Sequence, residues 1–284
     1  MNSHAMWTSV KSRQFPDAHI VTATFSDHRV DVYVPPDVSV FSPVLVLHDG
    51  RNVFFPEHST QGVSWGILDI FASDKKSLTP TPVVISVWGT DSEVAGARYF
   101  ELAPQNVLAQ NDDFWGTLLS RAEIPMAPLR GNEYHALIVE QVLPAVSAFT
   151  GIQLQRERTA LCGSSMGGLT SLYGATLYPN VYGTVLSLST HWAFWSEGFI
   201  DQVIGNLVAV GMPRIWLDRG DLDLDANYVG LHEHAAQLLI DCGWNSGVAF
   251  QARVFEGTGH NEGAWAQRIS EVLHWWLAGI PVSA

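Results

Sequence analysis

The chain has 284 residues, 47% of them hydrophobic, with 11 tryptophans and 28 carboxylates against 15 Lys and Arg, for a formal charge of −13. That length and apolar content suffice for one large core and exclude a disordered chain. The acidic surface repels phosphate backbones and anionic membranes, so neither nucleic acid nor a lipid surface is expected as a partner.

No linker-like stretch divides the chain, so residues 1–284 are read as a single domain, with residues 1–12 expected to be poorly ordered and residues 1–6 left out of the fold reasoning. Cys162 and Cys242 fall in an expected buried strand and at the end of an expected helix, and are read as structural thiols rather than a disulfide. The amino terminus shows no basic segment followed by an apolar stretch, and no apolar run is long enough to span a bilayer. A cytoplasmic location is the resulting expectation.

Residues 15–25 and 30–34 alternate apolar and polar side chains and predict two antiparallel strands, joined through Ser26, Asp27 and His28. Pro35 and Pro36 end the second. From Pro43 to His48 the chain is almost continuously apolar, the pattern of a strand buried on both faces, and it ends in Asp49, Gly50, Arg51 and Asn52. Residues 82–88 predict another buried strand. The polar and aromatic stretch 89–131 is long for a connection in a compact domain, and is expected to be functional or to contain short helices. Arg98, Tyr99, Phe100, Glu101, Phe114 and Trp115 within it are candidate pocket walls, and equally candidate covers of the core edge.

Helical periodicity returns at 132–149 through Tyr134, Leu137, Ile138, Val142 and Val146, with Pro144 expected to kink or restart the helix. Residues 158–162 then lead as a strand into Gly163, Ser164, Ser165, Met166 and Gly167, and residues 170–177 lead out as a helix. A G-x-S-x-G pattern in that setting reads as a nucleophile elbow. The glycines leave room for a sharp strand-to-helix turn, and the Met166 amide at the first helical turn faces any oxyanion formed on a substrate at Ser165. Strands are predicted at 181–188, 212–217 and 248–255, helices at 227–242 and 263–277, and an aromatic loop with His191, Trp192 and Trp195 follows the first of these strands. Strands and helices alternate from Val44 onward, which predicts an α/β fold with a mostly parallel central sheet and helices on both faces.

A serine hydroxyl needs a base to take its proton, and the base needs a carboxylate to fix its tautomer. In this fold class the partners follow the serine in the order acid, then histidine. His260, in the turn after the last predicted strand, is the candidate base. The loop after the preceding strand offers Asp221, Asp223 and Asp225, one of which is expected to orient it. Gly50 lets the backbone turn inward after the early central strand, and the Arg51 amide is the candidate second oxyanion donor. The three aspartates do not make a calcium loop, because Ala226 stands where an EF-hand needs glycine and His232 where it needs glutamate. His232 and His234, two apart on a predicted helix, face different ways and do not form the i, i+4 zinc pair. No metal and no cofactor are expected.

These residues resemble a known family, the esterase or esterase D group of α/β hydrolases, which includes feruloyl esterases, enterochelin esterases, S-formylglutathione hydrolases and antigen 85-type mycolyltransferases. The resemblance runs from about Val44 to Leu277. It is strongest in Gly163-Ser164-Ser165-Met166-Gly167-Gly168-Leu169, in His48-Asp49-Gly50-Arg51-Asn52-Val53-Phe54 with Trp65 downstream, and in Gly259-His260-Asn261-Glu262 before Trp265. It implies an α/β-hydrolase fold, Ser165 as nucleophile, His260 as base and the Arg51 and Met166 amides as oxyanion hole. For the acid, family members with an aspartate three residues after the glycine ending the strand point to Asp223. Members with a Leu-Asp-Ala before a tyrosine match Leu224, Asp225, Ala226 and Tyr228, so Asp223 is taken as the acid with Asp225 as the alternative.

The expected function is hydrolysis of a small or medium carboxylic ester through an acyl-Ser165 intermediate. Trp192, Trp195, Tyr99 and Phe100 are candidate pocket walls, and Arg98 and Arg51 candidate receivers of a substrate carboxylate or polar head group. An acyltransferase of the mycolyltransferase type, a thioesterase or a peptidase would use the same triad. A non-catalytic binding protein is disfavoured by the presence of all three triad residue types.

Overall fold

A computed structural model of the chain describes residues 5–11, 15–73, 78, 80–90, 96–109, 127–192 and 196–281. The strands are β1 (Thr8–Val10), β2 (Ile20–Phe25), β3 (His28–Tyr33), β4 (Val44–Leu47), β5 (Val83–Val87), β6 (Thr159–Ser164), β7 (Thr184–Leu188), β8 (Arg214–Gly220) and β9 (Phe250–Phe255). They form one sheet in the order β1-β2-β3-β5-β4-β6-β7-β8-β9. The pairs β1–β2, β2–β3 and β3–β5 are antiparallel, and every pair from β5–β4 through β8–β9 is parallel. The α/β-hydrolase expectation of a mostly parallel sheet therefore describes the molecule.

The two-residue period of a strand sorts the continuous apolar runs onto two cores. Val44 and Val46 of β4 face one side, Leu45 and Leu47 the other; on β8, Ile215 and Leu217 separate in the same way from Trp216. The first core is covered by the helical run 131–150 and the helices Met166–Leu177, Glu197–Val210 and Val229–Asp241, through residues such as Leu143, Leu172, Ile200 and Leu239. The second lies under Ile67–Ser73 and Glu262–Ala278, through Phe71, Ile269, Leu273 and Trp276.

Several expectations shift. Residues Thr8–Val10, placed in the poorly ordered start, pair with β2 instead. The expected strand at 15–25 contracts to Ile20–Phe25, because Phe15, Pro16, Asp17 and Ala18 turn before it. The stretch 89–131 contains short helices at Ala97–Leu102 and Gln105–Leu108. Pro144 restarts the helix as expected: it stands in the first turn of Leu143–Thr150, behind a π-helical segment Ile138–Val142 that absorbs its missing N–H. Helix Glu197–Val210 was not anticipated; Ser196 caps it by accepting the Phe199 N–H at 3.2 Å. Both cysteines are free thiols, and among the described residues no helix is long and apolar enough to cross a membrane.

Candidate active site

Five successive parallel strand ends converge at one edge of the sheet. Ser165 sits between β6 and its helix with φ 57° and ψ −123°, a conformation that L side chains rarely adopt. Backbone bonds hold it there: its N–H donates to Leu188 O at 2.9 Å, and its carbonyl accepts from Leu169 N and His191 N, each at 3.1 Å. Gly163 has to be glycine because a Cβ there would collide with the Gly167 backbone. Ser165 is half-buried among fully buried neighbours, which leaves its side chain reachable.

The loop after β4 packs against this turn. His48 N–H donates to Cys162 O at 3.0 Å, and the Asp49 carboxylate lies beside the Cα of Gly167. Asp49 itself is left-handed (φ 53°) and starts the 3-10 turn Gly50–Asn52 that carries the Arg51 amide. Gly50 is squeezed against Trp88 and the Ser86 and Val87 backbone, so no side chain fits. Arg98 grips Asp49 with Nε on Oδ1 at 2.6 Å and Nη2 on Oδ2 at 2.7 Å. The bidentate pair makes Arg98 a brace on the loop of the candidate oxyanion donor. The Arg51 side chain is exposed, its guanidinium 5.7 Å from the Trp88 ring centre.

His260 stands between β9 and the last helix, whose first turn Asn261 caps through Ala264 N at 2.9 Å. Its Nδ1 lies 2.6 Å from Oδ1 of Asp225, not of Asp223. The choice of Asp223 is thereby corrected in favour of its alternative. The reason is the 3-10 turn Asp223–Tyr228, in which residues three apart share a face. Asp225 and Tyr228 both point inward and are fully buried, whereas Asp223 is exposed and lies against Gly259. Asp221 also serves the histidine loop, accepting the Gly257 N–H at 2.7 Å.

The second oxygen of Asp225 accepts from Ser189 Oγ and from Gly220 N, both at 2.6 Å. Burial alone would raise the Asp225 pKa, but its hydrogen bonds to His260, Ser189 and Gly220 outweigh it and hold the carboxyl below the usual range. Ser189 is a hub, with its hydroxyl also accepting from Arg268 Nη2 at 2.6 Å and Trp265 Nε1 at 3.0 Å. Behind it the fully buried Asp218 takes Ser189 N at 3.0 Å, Trp216 Nε1 at 2.8 Å and Arg268 Nη2 at 2.9 Å. Burial pushes the Asp218 pKa up, opposed by Arg268. Glu262, at the first position of the last helix, accepts from Asn52 Nδ2 at 3.1 Å and so ties the histidine loop to the Arg51 loop.

The candidate pocket walls divide. Tyr99 reaches the site, its ring 6.5 Å from that of His191. Phe100 is buried in the core, and so is Trp192, with no exposed surface; neither can face a substrate directly. Trp195, Phe114 and Trp115 lie outside the described residues. Sequence reasoning missed Ser189, Tyr228 and His191 as parts of the site. The i, i+3 relation of Asp225 and Tyr228 was the available signal, hidden because Asp221 to Asp225 read as a loop and the predicted helix begins only at Asn227.

A family model described as "Putative esterase" matches residues 22–275. The chain is 21% identical over 199 residues to the uncharacterized protein YbbA of Bacillus subtilis (strain 168), covering 68% of each. Among solved structures it is similar to the BES protein of Bacillus cereus, with a TM-score of 0.63 at 14% identity, covering 97% of this chain and 95% of that one. It is also similar to the enterobactin esterase FES of Shigella flexneri, with a TM-score of 0.58 at 17% identity over 98% of this chain. The present chain spans 60% of the length of that protein.

Proposed function

The chain belongs to the Esterase family, and on that ground together with the site geometry we propose that it is a serine carboxylic-ester hydrolase working through an acyl-Ser165 intermediate. The observation that carries this reading is the buried Asp225–His260 bond at the ends of β8 and β9, set beside a strained serine at the end of β6. Asp225 fixes the His260 tautomer with Nδ1 protonated, which turns Nε2 toward the substrate side as the base. His260 takes the Ser165 proton during attack on the ester carbonyl, returns it to the leaving alcohol, and then activates water against the acyl-enzyme. The Met166 and Arg51 amides receive the oxyanion, each such donor being worth about 3 kcal/mol of barrier. Tyr99 lines the site, and Arg98 acts first through Asp49 on the shape of the Arg51 loop.

The test is a panel of p-nitrophenyl esters of graded acyl length, with enterobactin added because the Shigella protein is named for it, run on wild type and Ser165→Ala. Turnover lost in Ser165→Ala and stoichiometric labelling of Ser165 by a fluorophosphonate are expected. No turnover on any ester together with no labelling would sink the proposal. Labelling without hydrolysis would move it to acyl transfer, checked by product analysis with added acceptor alcohols.

A further inference from the structure

The turn that carries the Arg51 amide closes through Asn52 N on Asp49 O at 2.9 Å and Val53 N on Gly50 O at 3.2 Å, one bond on either side of that amide. Arg98 fixes its Asp49 end. Its other end is anchored by Asn52, whose carbonyl accepts Trp65 N at 2.9 Å, whose Oδ1 accepts Thr60 N at 3.0 Å and Thr60 Oγ1 at 3.2 Å, and whose Nδ2 donates to Glu262 Oε1 at 3.1 Å. A backbone N–H can only donate, so Oδ1 must face Thr60 and Nδ2 must face Glu262. Glu262 is the second residue after His260. The two loops meet again where Trp265 lies edge-on to His260 (ring centres 5.1 Å apart, 81°) and beside Trp65 (6.1 Å, 50°).

We propose that Glu262 is a positioning residue for oxyanion stabilisation, setting the Arg51 amide in the frame of His260 through its bond to Asn52. The proposal rests on the reading of the Arg51 amide as an oxyanion donor. Glu262 is 6% exposed, and burying a carboxyl there costs stability that an apolar residue would not. What it holds is the turn rather than the histidine. The His260 loop has other anchors, namely Asp225 on the imidazole, the Asn261 cap, and Thr258 O on the amides of Asp221 and Leu222. The Arg51 turn leans instead on the side chains of Arg98 and Asn52. An oxyanion donor works when it lies about 2.7–3.1 Å from the place the charged oxygen will take. Releasing Asn52 lets the Arg51 amide drift out of that range while the Asp225–His260 pair stays in place.

Glu262→Ala removes the acceptor, and Glu262→Gln keeps it. On a p-nitrophenyl ester kcat is expected to fall about ten- to a hundredfold in Glu262→Ala with KM nearly unchanged, and less than about threefold in Glu262→Gln. The matching thionoester, with C=S in place of C=O, carries a sulfur that accepts hydrogen bonds poorly. Its rate should fall far less, so the oxygen-to-sulfur rate ratio of Glu262→Ala should drop. Asn52→Ala should lower the same ratio, and the double variant should lose little more than Asn52→Ala alone. All rates are read well below each variant's Tm, on protein with wild-type circular dichroism. Wild-type kcat in Glu262→Ala overturns the proposal. So does an equal loss on both substrates, which a displaced His260 would give, and so does a double variant whose loss is the product of the single losses. In those cases inactive Ser165→Ala leaves the triad reading standing. Wild-type protein that prefers the oxygen ester no more than hydroxide ion does removes the Arg51 reading, and the proposal with it.

Discussion

Asp223 and Asp225 carry the same carboxyl group two positions apart, yet one is exposed and the other has three hydrogen-bond donors, His260, Ser189 and Gly220 N, converging on it. Asp225→Asn keeps the volume but favours the wrong His260 tautomer, so kcat should fall about 10³- to 10⁴-fold. Asp223→Asn, acting only on the packing at Gly259, should cost less than about tenfold in the same p-nitrophenyl assay. Ser165 offers a second contrast. Its φ of 57° with ψ −123° stores about 1–3 kcal/mol, which glycine relieves and alanine does not. Thermal unfolding should show Ser165→Gly melting a few degrees above Ser165→Ala, both inactive; equal melting points would mean that the turn is unstrained.

The elbow is a strand and a helix pressed so closely that the residue between them has no room to relax. Gly163→Ala drives a methyl into the Gly167 backbone, and an overpacked site of this kind costs about 1–3 kcal/mol or more. The expected outcome is a lowered denaturation midpoint together with slowed fluorophosphonate labelling, since the same collision displaces Met166 N. This element was legible in the sequence because glycine, serine and the flanking apolar runs state their requirements locally. The acid was not, because Asp221, Asp223 and Asp225 all belong to the histidine loop's support and differ only in which face of a short 3-10 turn they occupy. Helix Glu197–Val210 escaped for another reason: its start depends on a single serine cap after an aromatic loop.

Across the molecule, β4 through β7 were readable because parallel strands buried on both faces are largely apolar, whereas β9 lies at the sheet edge and is mostly exposed. The antiparallel β1 is only three residues long and is defined by its pairing, which composition does not reveal. The fold also buries imidazoles. His48 and His191 are lowered to about 3 and His232 to about 4, each chiefly by burial, and His135 lies well below its ordinary value for the same reason. Their folded pKa values lie below the unfolded value of about 6.5, so the unfolded chain binds protons that the native state refuses. Their contribution is complete above about pH 6.5 and is lost downward toward pH 3–4, at about 1.4 kcal/mol per pH unit for each histidine. The depressed Asp225 carboxyl adds loss in the same direction at lower pH, while the raised Asp218 and Glu262 and the relaxing −13 charge oppose it. The discriminating measurement is proton uptake on unfolding near pH 5 by calorimetry in buffers of different ionisation enthalpy. His232→Gln should lower that uptake by about one proton, and an unchanged value would contradict the burial argument.

The turns after β8 and β9 are sewn together by backbone. Thr258 O accepts both Asp221 N at 3.0 Å and Leu222 N at 3.1 Å, while Gly257 N returns a bond to Asp221. Acid and base therefore share one clock: neither turn can open without the other. In a hydrogen–deuterium exchange time course, the amides of Asp221, Leu222 and Gly257 should lose their protons together and slowly, and Asp221→Ala should quicken all three. Faster motion is then expected at the opposite rim, where Arg98 on Asp49 and Glu262 on Asn52 hold the Arg51 loop through their side chains.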